Sequence, residues 1–362
     1  MMMKFKNARG FSLIETGVML AVVSLVGMVA APAVQESRSK MRGVSSSANL
    51  QQIGQGAASY GFSNNGRLFG YSWRAGETYV IPSGQIRTAS SDYKAASNQN
   101  EEILMRRTGR VSGREKIQAF PNHIVHLRYN HIVLFDFLNE SEKSTKFIDP
   151  NDHKLMGWHA NPLEYLEDEN ALPFGNVGDD YSEYEGNWLW GESALKQRWA
   201  FGTSYQTVPA AWAPDFPEAT YRPYEFTQNI VVSGGSIIPL AAGRNISEVK
   251  HTGQKVWMHE EFDREQMGDP NFSYDFAETE KLMFDLSVNN WSSGSANSSR
   301  VEHYGLGVWR QRYVSLHQFP DPISGLGEQT KLDQRFRWTF RGLGGVDYGL
   351  AQPGRKPMRY TR

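Results

Sequence analysis

The hydrophobic pattern of the first 66 residues predicts one long helix built from two parts. Residues 16–34 form an apolar run, close to the roughly 20 residues that a helix needs to cross a bilayer. After this run, apolar residues recur at helical spacing as two stripes on different helix faces. The first stripe is Met41, Val44 and Ala48, and the second is Leu50, Ile53, Ala57 and Tyr60.

Two stripes predict two packing partners for this helix. We expect neighbouring helices to cover the first stripe and the chain's own globular domain to cover the second. Gly43, Gly54 and Gly56 each weaken the helix by about 1 kcal/mol relative to alanine. Gly61, followed by an Asn-Asn-Gly sequence at 64–66, predicts the helix end and a turn.

Beyond Leu68 the pattern changes, and helical periodicity becomes sparse. Short β-branched or aromatic runs alternate with segments rich in glycine, asparagine and serine. The pattern predicts an α+β protein, with a long N-terminal helix packed on an antiparallel, β-rich head. The candidate strands are 124–138, 229–238 with a turn at Ser233-Gly234-Gly235, 254–259, 281–288, 311–316 and 335–340.

Composition narrows the possible partners. The 362 residues contain 38 Lys and Arg against 39 Asp and Glu, so the net charge of -1 gives no sign of a nucleic-acid partner. The absence of cysteine excludes disulfides, cysteine nucleophiles and thiolate metal sites. Aromatic residues make up 12% of the chain, which favours aromatic packing in a β-rich core over a glycan-binding platform.

The N-terminus combines a basic leader with one carboxylate near the start of the apolar run. Lys4, Lys6 and Arg9 predict a cytoplasmic N-terminus. A cleaved secretory signal, a plain signal anchor and a segment processed ahead of the run and retained would each begin this way. A carboxylate at membrane depth costs about 2.5–3.5 kcal/mol at a helix centre and less near the interface, so Glu15 is expected to have a partner.

The sequence Gly10-Phe11-Ser12-Leu13-Ile14-Glu15 resembles the N-terminus of type IV pilins and pseudopilins. The resemblance implies that a prepilin peptidase cleaves between Gly10 and Phe11 and methylates the new amine of Phe11. It also implies that Glu15 pairs with the N-terminal amine of a neighbouring subunit in a filament. Pro32 lies where pilin helices commonly carry a proline, and a proline inside a helix invites a kink.

This resemblance divides the chain into four parts: a leader at 1–10, a transmembrane half-helix at 11–34, a periplasmic half-helix at 35–61 and a head at 62–362. Residues 32–38 and 47–54 are similar to large pseudopilin-like proteins, which have a cysteine where this chain reads Ser45-Ser46-Ser47. Segments 249–264, 281–288 and 341–349 are similar to their C-terminal region. In the second of these, Leu286 replaces the family's glycine, which puts the tight turn there in question.

The head contains two groups of residues that resemble parts of metal sites. The sequence from His259 to Asp263 approaches the HExxH zinc motif, but Asp263 stands where the second histidine belongs. The preceding residues predict a strand, so strand-end acids are the favoured interpretation. His123, His126 and His131 do not converge on a strand, because alternate residues point to opposite faces.

One acidic segment of the head is a candidate calcium site. Asp179, Asp180, Glu183 and Glu185 cluster between glycines, and Ca²⁺ prefers flexible loops of oxygen ligands. Their spacing follows no defined calcium loop, so a solvated acidic loop is favoured and no cofactor is expected. Asp263 and Asp285 form a weaker second candidate pair.

The sequence therefore predicts a structural, non-enzymatic subunit of a type IV pilus-like or type II secretion filament. Its expected partners are the prepilin peptidase, other pilin or pseudopilin subunits and the bacterial inner membrane. The expected topology is single-pass with a periplasmic head, moving to a filament or the cell surface after assembly. The alternative is an envelope-anchored, aromatic-rich module that binds glycans or surfaces and uses the pilin-like end for export.

Overall fold

The protein divides into two compact units, residues 1–44 and 45–362. The computed structural model describes residues 13–113, 115–117, 125, 129–138, 144–160, 201–212, 232–233, 236–237, 243–266, 270–272, 274–297, 300–303, 307–310, 312–313, 332–333, 335–337 and 342–349.

The described residues form a mixed α+β structure, as the sequence predicts. The helices are Leu13–Ser63 (α1), Asp92–Thr108 (α2), Phe135–Leu138 (α3) and His153–Ala160 (α4). Within the part of the chain that the structure describes, no helix is both long enough and apolar enough to cross a membrane.

The strands are short, and their described pairings are antiparallel. The central sheet has four strands in the order β3-β6-β7-β8, and the others form two-stranded ladders β1-β2, β4-β5, β9-β10 and β11-β12. Their bounds are Thr78–Val80 (β1), Ile86–Thr88 (β2), Tyr205–Thr207 (β3), Val232–Ser233 (β4), Ser236–Ile237 (β5), Val256–Glu260 (β6), Glu278–Met283 (β7), Val288–Ser292 (β8), Arg300–His303 (β9), Gly307–Arg310 (β10), Arg312–Tyr313 (β11) and Leu332–Asp333 (β12).

The second apolar stripe of α1 lies in the core of the head, as predicted. Leu50, Ile53, Ala57 and Tyr60 are all buried. Two glycines of this segment have a packing role that the sequence did not reveal. A Cβ atom added at Gly54 would lie 3.0 Å from Cδ1 of Leu282, and one added at Gly56 would lie 2.6 Å from Cδ2 of Leu138. Close approach of α1 to β7 and α3 therefore accounts for glycines that weaken the helix itself.

The predicted end of α1 and the turn after it are confirmed. The Gly66 amide donates to the Gly61 carbonyl at 2.8 Å. Asn65 and Gly66 both have positive φ, at 55° and 77°, the left-handed conformation that asparagine and glycine tolerate best.

Helix α2 corrects the expectation that helical structure is sparse beyond Leu68. Its N-cap is Ser91, whose side chain accepts from the Lys94 amide, and its C-cap is Gly109 in the left-handed conformation. Both signals are present in the sequence as ordinary helix boundaries. Polar residues dominate the helix, and its buried face includes only a few large apolar residues, which weakened the periodic signal.

Two predicted strands are wrong over the residues that the structure describes in them. Within 124–138, residues 130–134 form a 3-10 helix that continues into α3, and within 335–340, residues 335–337 form another 3-10 helix. The described residues of the first segment are buried on successive positions from 130 to 135. A short apolar run that is buried all round has no period, so its sequence does not separate strand from helix.

The strand predicted at 254–259 is confirmed as β6, residues 256–260. Of the strand predicted at 281–288, residues 281–283 belong to β7, residue 288 begins β8, and the residues between them form a turn that lacks glycine. Leu286 adopts φ of 70°, the left-handed conformation that favours glycine. Its amide donates to Met283 at 3.0 Å, and the Met283 amide donates to Ser287 at 2.8 Å. The predicted turn at 233–235 is likewise consistent with the β4-β5 pairing, and a strand is present within 311–316 as β11.

The glycine-rich segment near the C-terminus is fixed to the start of β6 by Asp347. Its two carboxylate oxygens accept from Nζ of Lys255 at 2.9 Å and from the Val256 amide at 2.8 Å. Lys255 and Asp347 are both fully buried. This ion pair holds residues 342–349 beside the central sheet.

Candidate functional site

The residues that the pilin resemblance singles out lie at or before the start of α1. Gly10 and Phe11 lie outside the described residues. Glu15 and Pro32 belong to the backbone of α1, which runs through Pro32 as continuous helix. The cleavage, methylation and charge-pairing roles of these residues are therefore still predictions.

The described residues instead bring together a polar site that the sequence did not predict as a unit. Its basis is β6, where His259 and Glu260 are neighbours and therefore point to opposite faces of the sheet. This strand confirms the interpretation of residues 259–263 as strand and strand-end acids and contradicts a helical zinc motif. All five residues of β6 are buried, so the two faces of the sheet enclose different polar groups.

On the face towards α1, hydroxyl and carboxyl groups form a chain of hydrogen bonds. The Ser46 hydroxyl, from α1, donates to Oε1 of Glu260. Oη of Tyr205, on β3, lies 3.0 Å from the same serine oxygen, and Nδ2 of Asn49 lies 3.4 Å from the tyrosine oxygen. The Glu280 amide, on β7, donates to Oε2 of Glu260 at 3.0 Å. Glu260 thereby joins α1 to the central sheet.

A second carboxyl group, that of Asp149, hydrogen-bonds to the Glu260 side chain. Burial, together with the charge and the hydrogen bond of Asp149, raises the pKa of Glu260 well above its usual value. Two carboxyl groups close together away from water cannot both be charged at low cost, which favours the protonated form of Glu260. The pKa of Tyr205 is raised too, first by burial and then by the charges of Glu260 and Asp149. We call Ser46, Asp149, Tyr205 and Glu260 the acid cluster.

The acid cluster continues into a structural ion pair. The Asp149 amide donates to Oγ of Ser204 at 3.0 Å, and that hydroxyl donates to Oδ2 of Asp152 at 2.8 Å. Nη2 of Arg264 donates to the same aspartate oxygen at 2.6 Å. Burial opposes the charge of Arg264, but Asp152 and the neighbouring carboxylates raise its pKa overall. Arg264 therefore stays charged and is bound to Asp152.

On the opposite face of the sheet, the register aligns three fully buried polar residues. Gln206 of β3 pairs with His259 of β6, which pairs with Lys281 of β7. The Lys281 ammonium donates to the carbonyl oxygens of Thr279 and Trp291, each at 2.6 Å. Among the described residues, neither amide atom of Gln206 nor Nε2 of His259 has a hydrogen-bond partner. We call Gln206, His259 and Lys281 the basic row.

Aromatic rings cover the basic row. Phe272 and Phe336 have ring centroids 4.7 Å and 4.9 Å from that of His259, and Nζ of Lys281 lies 5.2 Å from the Phe336 centroid. Burial lowers the pKa of Lys281 to about 7, although nearby glutamates oppose the shift. Burial, followed by the charge of Arg337, also lowers the pKa of His259 well below its usual value. His259 is neutral, and its Nδ1, 2.6 Å from the Glu260 carbonyl, carries the proton.

The metal hypotheses receive no support from the described part of the chain. Asp179, Asp180, Glu183 and Glu185 lie outside the described residues. Asp263 and Asp285 do not form a pair: Asp263 accepts from the Glu278 amide where β7 begins, whereas Asp285 lies in the turn after β7 ends. Among the described residues, no group of three or more His, Asp or Glu side chains is placed to hold a metal ion.

His131 and many large aromatic residues of the described chain are buried in the core. His131 is buried, and its ring packs against those of Phe135 and Phe147 at 5.8 and 4.7 Å, while His123 and His126 lie outside the described residues. Large aromatic residues of the described core include Phe69, Tyr205, Trp257, Phe272 and Phe336. This agrees with the expectation that aromatic residues pack the core.

Sequence reasoning identified Glu260 and the serines separately, but not their contact. Ser46 lies in a run of three serines, and Glu260 ends the buried strand β6. A carboxylate in a buried strand indicates that a polar partner lies nearby, because burying an unpaired carboxyl group is costly. Searches of family models, curated proteins and solved structures found no match for this chain.

Proposed function

We propose that the chain is a structural pilin-like or pseudopilin-like subunit of a type IV pilus-like or type II secretion filament. The prepilin-like sequence at 10–15 is the basis of this proposal. In this interpretation a prepilin peptidase cleaves between Gly10 and Phe11, and the apolar part of α1 is retained to pack against other subunits.

The way α1 divides into buried and exposed apolar residues supports a role as a filament subunit. Leu50 and Ile53 are buried in the head, whereas Met41 and Val44, of the preceding stripe, are 59% and 70% exposed. Exposed apolar side chains extend towards the start of the helix and include Val18, Leu25 and Met28. Soluble monomers rarely leave large contiguous apolar surfaces uncovered, so such a segment suits packing against other helices or lipid.

The proposed topology follows from the same segment. The basic leader would stay in the cytoplasm and the head would enter the periplasm, with the helix in the inner membrane until assembly. Glu15 would pair with the methylated amine of a neighbouring subunit's Phe11, because each charge alone is costly away from water. The chemistry of processing belongs to the peptidase, and the chain itself has a structural role.

Mass spectrometry of the mature N-terminus tests the processing step. The expected result is a chain that begins at N-methylated Phe11. Cleavage near Ala33, or an intact Met1, would contradict the proposal.

Assembly is tested by crosslinking in cells that carry Glu15→Ala, with Glu36→Ala as a matched control in the same helix. We expect Glu15→Ala to be cleaved normally but to lose multimers, and Glu36→Ala to keep both properties. Multimers at wild-type level in Glu15→Ala would refute the assigned role of that carboxylate. Glycan-array binding by the full-length protein would instead favour the export-and-recognition alternative.

A further inference from the structure

The turn that ends α1 contains the only Asn-Gly pair in the sequence, Asn65-Gly66. The Asn65 side chain is exposed, and Gly66 is half-buried. Glycine has no Cβ atom to crowd its backbone nitrogen, which leaves that nitrogen accessible to the carboxamide carbon of the preceding asparagine. The pair therefore has the two groups from which a cyclic imide forms with the least steric hindrance.

We propose that Asn65 is a site of deamidation, and that the hydrogen bond between Asn245 and Asn65 sets how fast the folded chain is modified there. The inference does not depend on the filament role, because it rests on contacts within the head. It names a covalent modification, the atom that attacks and the residue that controls the rate.

The reaction needs only water and the groups of the turn. The Gly66 nitrogen, once its proton has passed to hydroxide, bonds to Cγ of Asn65. The side-chain nitrogen takes a proton from water, which restores the hydroxide, and leaves as ammonia. One water molecule then opens the cyclic imide at either of its two carbonyl carbons. One opening gives aspartate, and the other gives isoaspartate, in which the main chain runs through the former side chain.

The folded turn holds the attacking nitrogen in place. Its N–H donates to the Gly61 carbonyl at 2.8 Å, and the Gly66 carbonyl accepts from the Ile246 amide at 2.8 Å. Attack on Asn65 requires rotation of the peptide group between residues 65 and 66, which breaks the bond to Gly61 and costs the free energy of that hydrogen bond. The turn must therefore open locally before the ring can close.

Asn245 fastens this turn to a second segment of the head. Its Nδ2 donates to the Asn65 carbonyl at 3.0 Å, and its Oδ1 accepts from the Ser247 amide at 3.0 Å. A capping box with Glu248 fixes the position of Asn245. The Asn65 carbonyl belongs to the peptide group that has to rotate. The Asn245 side chain thus opposes the movement on which deamidation depends.

Asn64 provides a comparison within the same turn. Its Nδ2 donates to the Tyr60 carbonyl at 2.8 Å, so its carboxamide is held against the end of α1. The residue that follows it is Asn65, whose Cβ atom crowds the backbone nitrogen in a way that glycine does not. We therefore expect Asn65 to be modified well before Asn64.

Modification would alter the end of α1 that packs on the head. Isoaspartate lengthens the main chain by one methylene group between Asn65 and Gly66, which displaces the Gly66 N–H from the Gly61 carbonyl. Both products also place a carboxylate beside the C-terminal end of the helix, where the helix dipole is negative.

Timed incubation of the purified full-length protein at pH 8 and 37 °C tests the site. Peptide mapping by mass spectrometry follows the conversion of each asparagine, and fragmentation separates aspartate from isoaspartate. In the folded wild type we expect slow conversion of Asn65 to both products. In guanidinium chloride, where the turn is lost, conversion of the same residue should be faster than in any folded variant.

Variants of Asn245 test the control of the rate. Asn245→Ala removes one hydrogen bond from the peptide group that rotates, so conversion at Asn65 should be about 2- to 10-fold faster. Asn245→Ser keeps a cap for the Ser247 amide but is too short to bond the Asn65 carbonyl, and it should show a similar increase. Asn290→Ala, at an exposed position on β8, is the matched control and should convert at the wild-type rate.

Two results would overturn the proposal. The first is an Asn65 that stays intact in the folded wild type and in both Asn245 variants while the denatured chain is converted completely. The second is an equal rate in the wild type and the Asn245 variants, which would remove the control assigned to Asn245. Conversion of Asn64 as fast as that of Asn65 would refute the role of the Gly66 nitrogen.

Discussion

The two faces of the central sheet both bury polar groups, but of opposite chemical type. The face towards α1 carries the acid cluster, and the other face carries the basic row under aromatic rings. Because the sheet separates them, Glu260 and Lys281 do not form an ion pair. The pKa shifts favour the neutral form on each face: the pKa of Glu260 is raised, which favours the protonated acid, and the pKa values of His259 and Lys281 are lowered, which favours the deprotonated bases. Burial without a facing counter-charge shifts the pKa of acids upwards and of bases downwards.

The largest expected effect concerns the ion pair that holds residues 342–349 beside the central sheet. Replacing Asp347 with alanine leaves Lys255 buried without its counter-ion, which should cost about 3–5 kcal/mol of unfolding free energy. Urea denaturation of the purified protein measures this loss. Asp347→Asn keeps an acceptor for the Val256 amide and should cost less. Equal losses for the two variants would mean that the retained acceptor is unimportant and that loss of the charge accounts for the whole effect.

Lys281 should give the basic face a pH dependence opposite to that of Glu260. Its folded-state pKa of about 7 lies below the ordinary lysine value of 10.5, so its stabilising contribution is present above pH 10.5 and is lost as the pH falls towards 7. Lys281→Met removes this titration. The stability of the variant relative to wild type should therefore fall by about 2–3 kcal/mol between pH 7 and pH 9.

Denaturation midpoints measured at several pH values test the Lys281 prediction. Lys250→Met, at an exposed position, is the matched control and should leave the pH dependence unchanged. If Lys281→Met follows the wild-type pH profile, the ammonium is charged in the folded state throughout this range.

A smaller loss of stability is expected where α1 packs closely against α3. A methyl group at Gly56 would overlap Leu138, so Gly56→Ala should destabilise the protein by about 1–2 kcal/mol despite a better helix propensity. At Gly17 an added Cβ meets no atom within 4 Å. Gly17→Ala should therefore leave the thermal unfolding midpoint of the head unchanged. A stabilised Gly56→Ala variant would show that α1 can move away from α3 without cost.

The smallest expected effect concerns the turn after β7. Leu286 has φ of 70° and packs partly against the core, so substitution alters both backbone strain and packing. Comparing Leu286→Gly with Leu286→Ala isolates the strain, because both remove most of the side chain. The glycine variant should be the more stable by about 1 kcal/mol. Equal stability would indicate that the turn relaxes when the leucine is removed.

The sequence predicted features that depend on local patterns. The buried stripe from Leu50 to Tyr60, the turn at 64–66 and strands β6 and β7 all follow from spacing and turn residues within a few positions. The strand prediction for residues 130–138 was wrong, because an apolar run that is buried on all sides shows neither the helical nor the strand period. Helix α2 had readable caps at Ser91 and Gly109, but a weak apolar pattern between them.

The acid cluster could not be predicted, because its members come from distant parts of the chain. Ser46, Asp149, Tyr205 and Glu260 meet only after α1 and β3 have packed beside β6. The sequence did indicate that Glu260 ends a buried strand. Which residue would compensate that carboxyl group depends on tertiary packing, and no local rule supplies it.

The contact between Ser46 and Glu260 can form only after a delay during synthesis of the chain. The two residues are 214 positions apart. At a translation rate of about 5–20 residues per second, roughly 10–40 s pass between their synthesis. During that interval the apolar stripe of α1 has been made, but β6 and β7 have not. The nascent α1 therefore cannot be protected from aggregation by its own head at this stage. Another factor must cover its apolar stripe until the second half of the chain emerges from the ribosome.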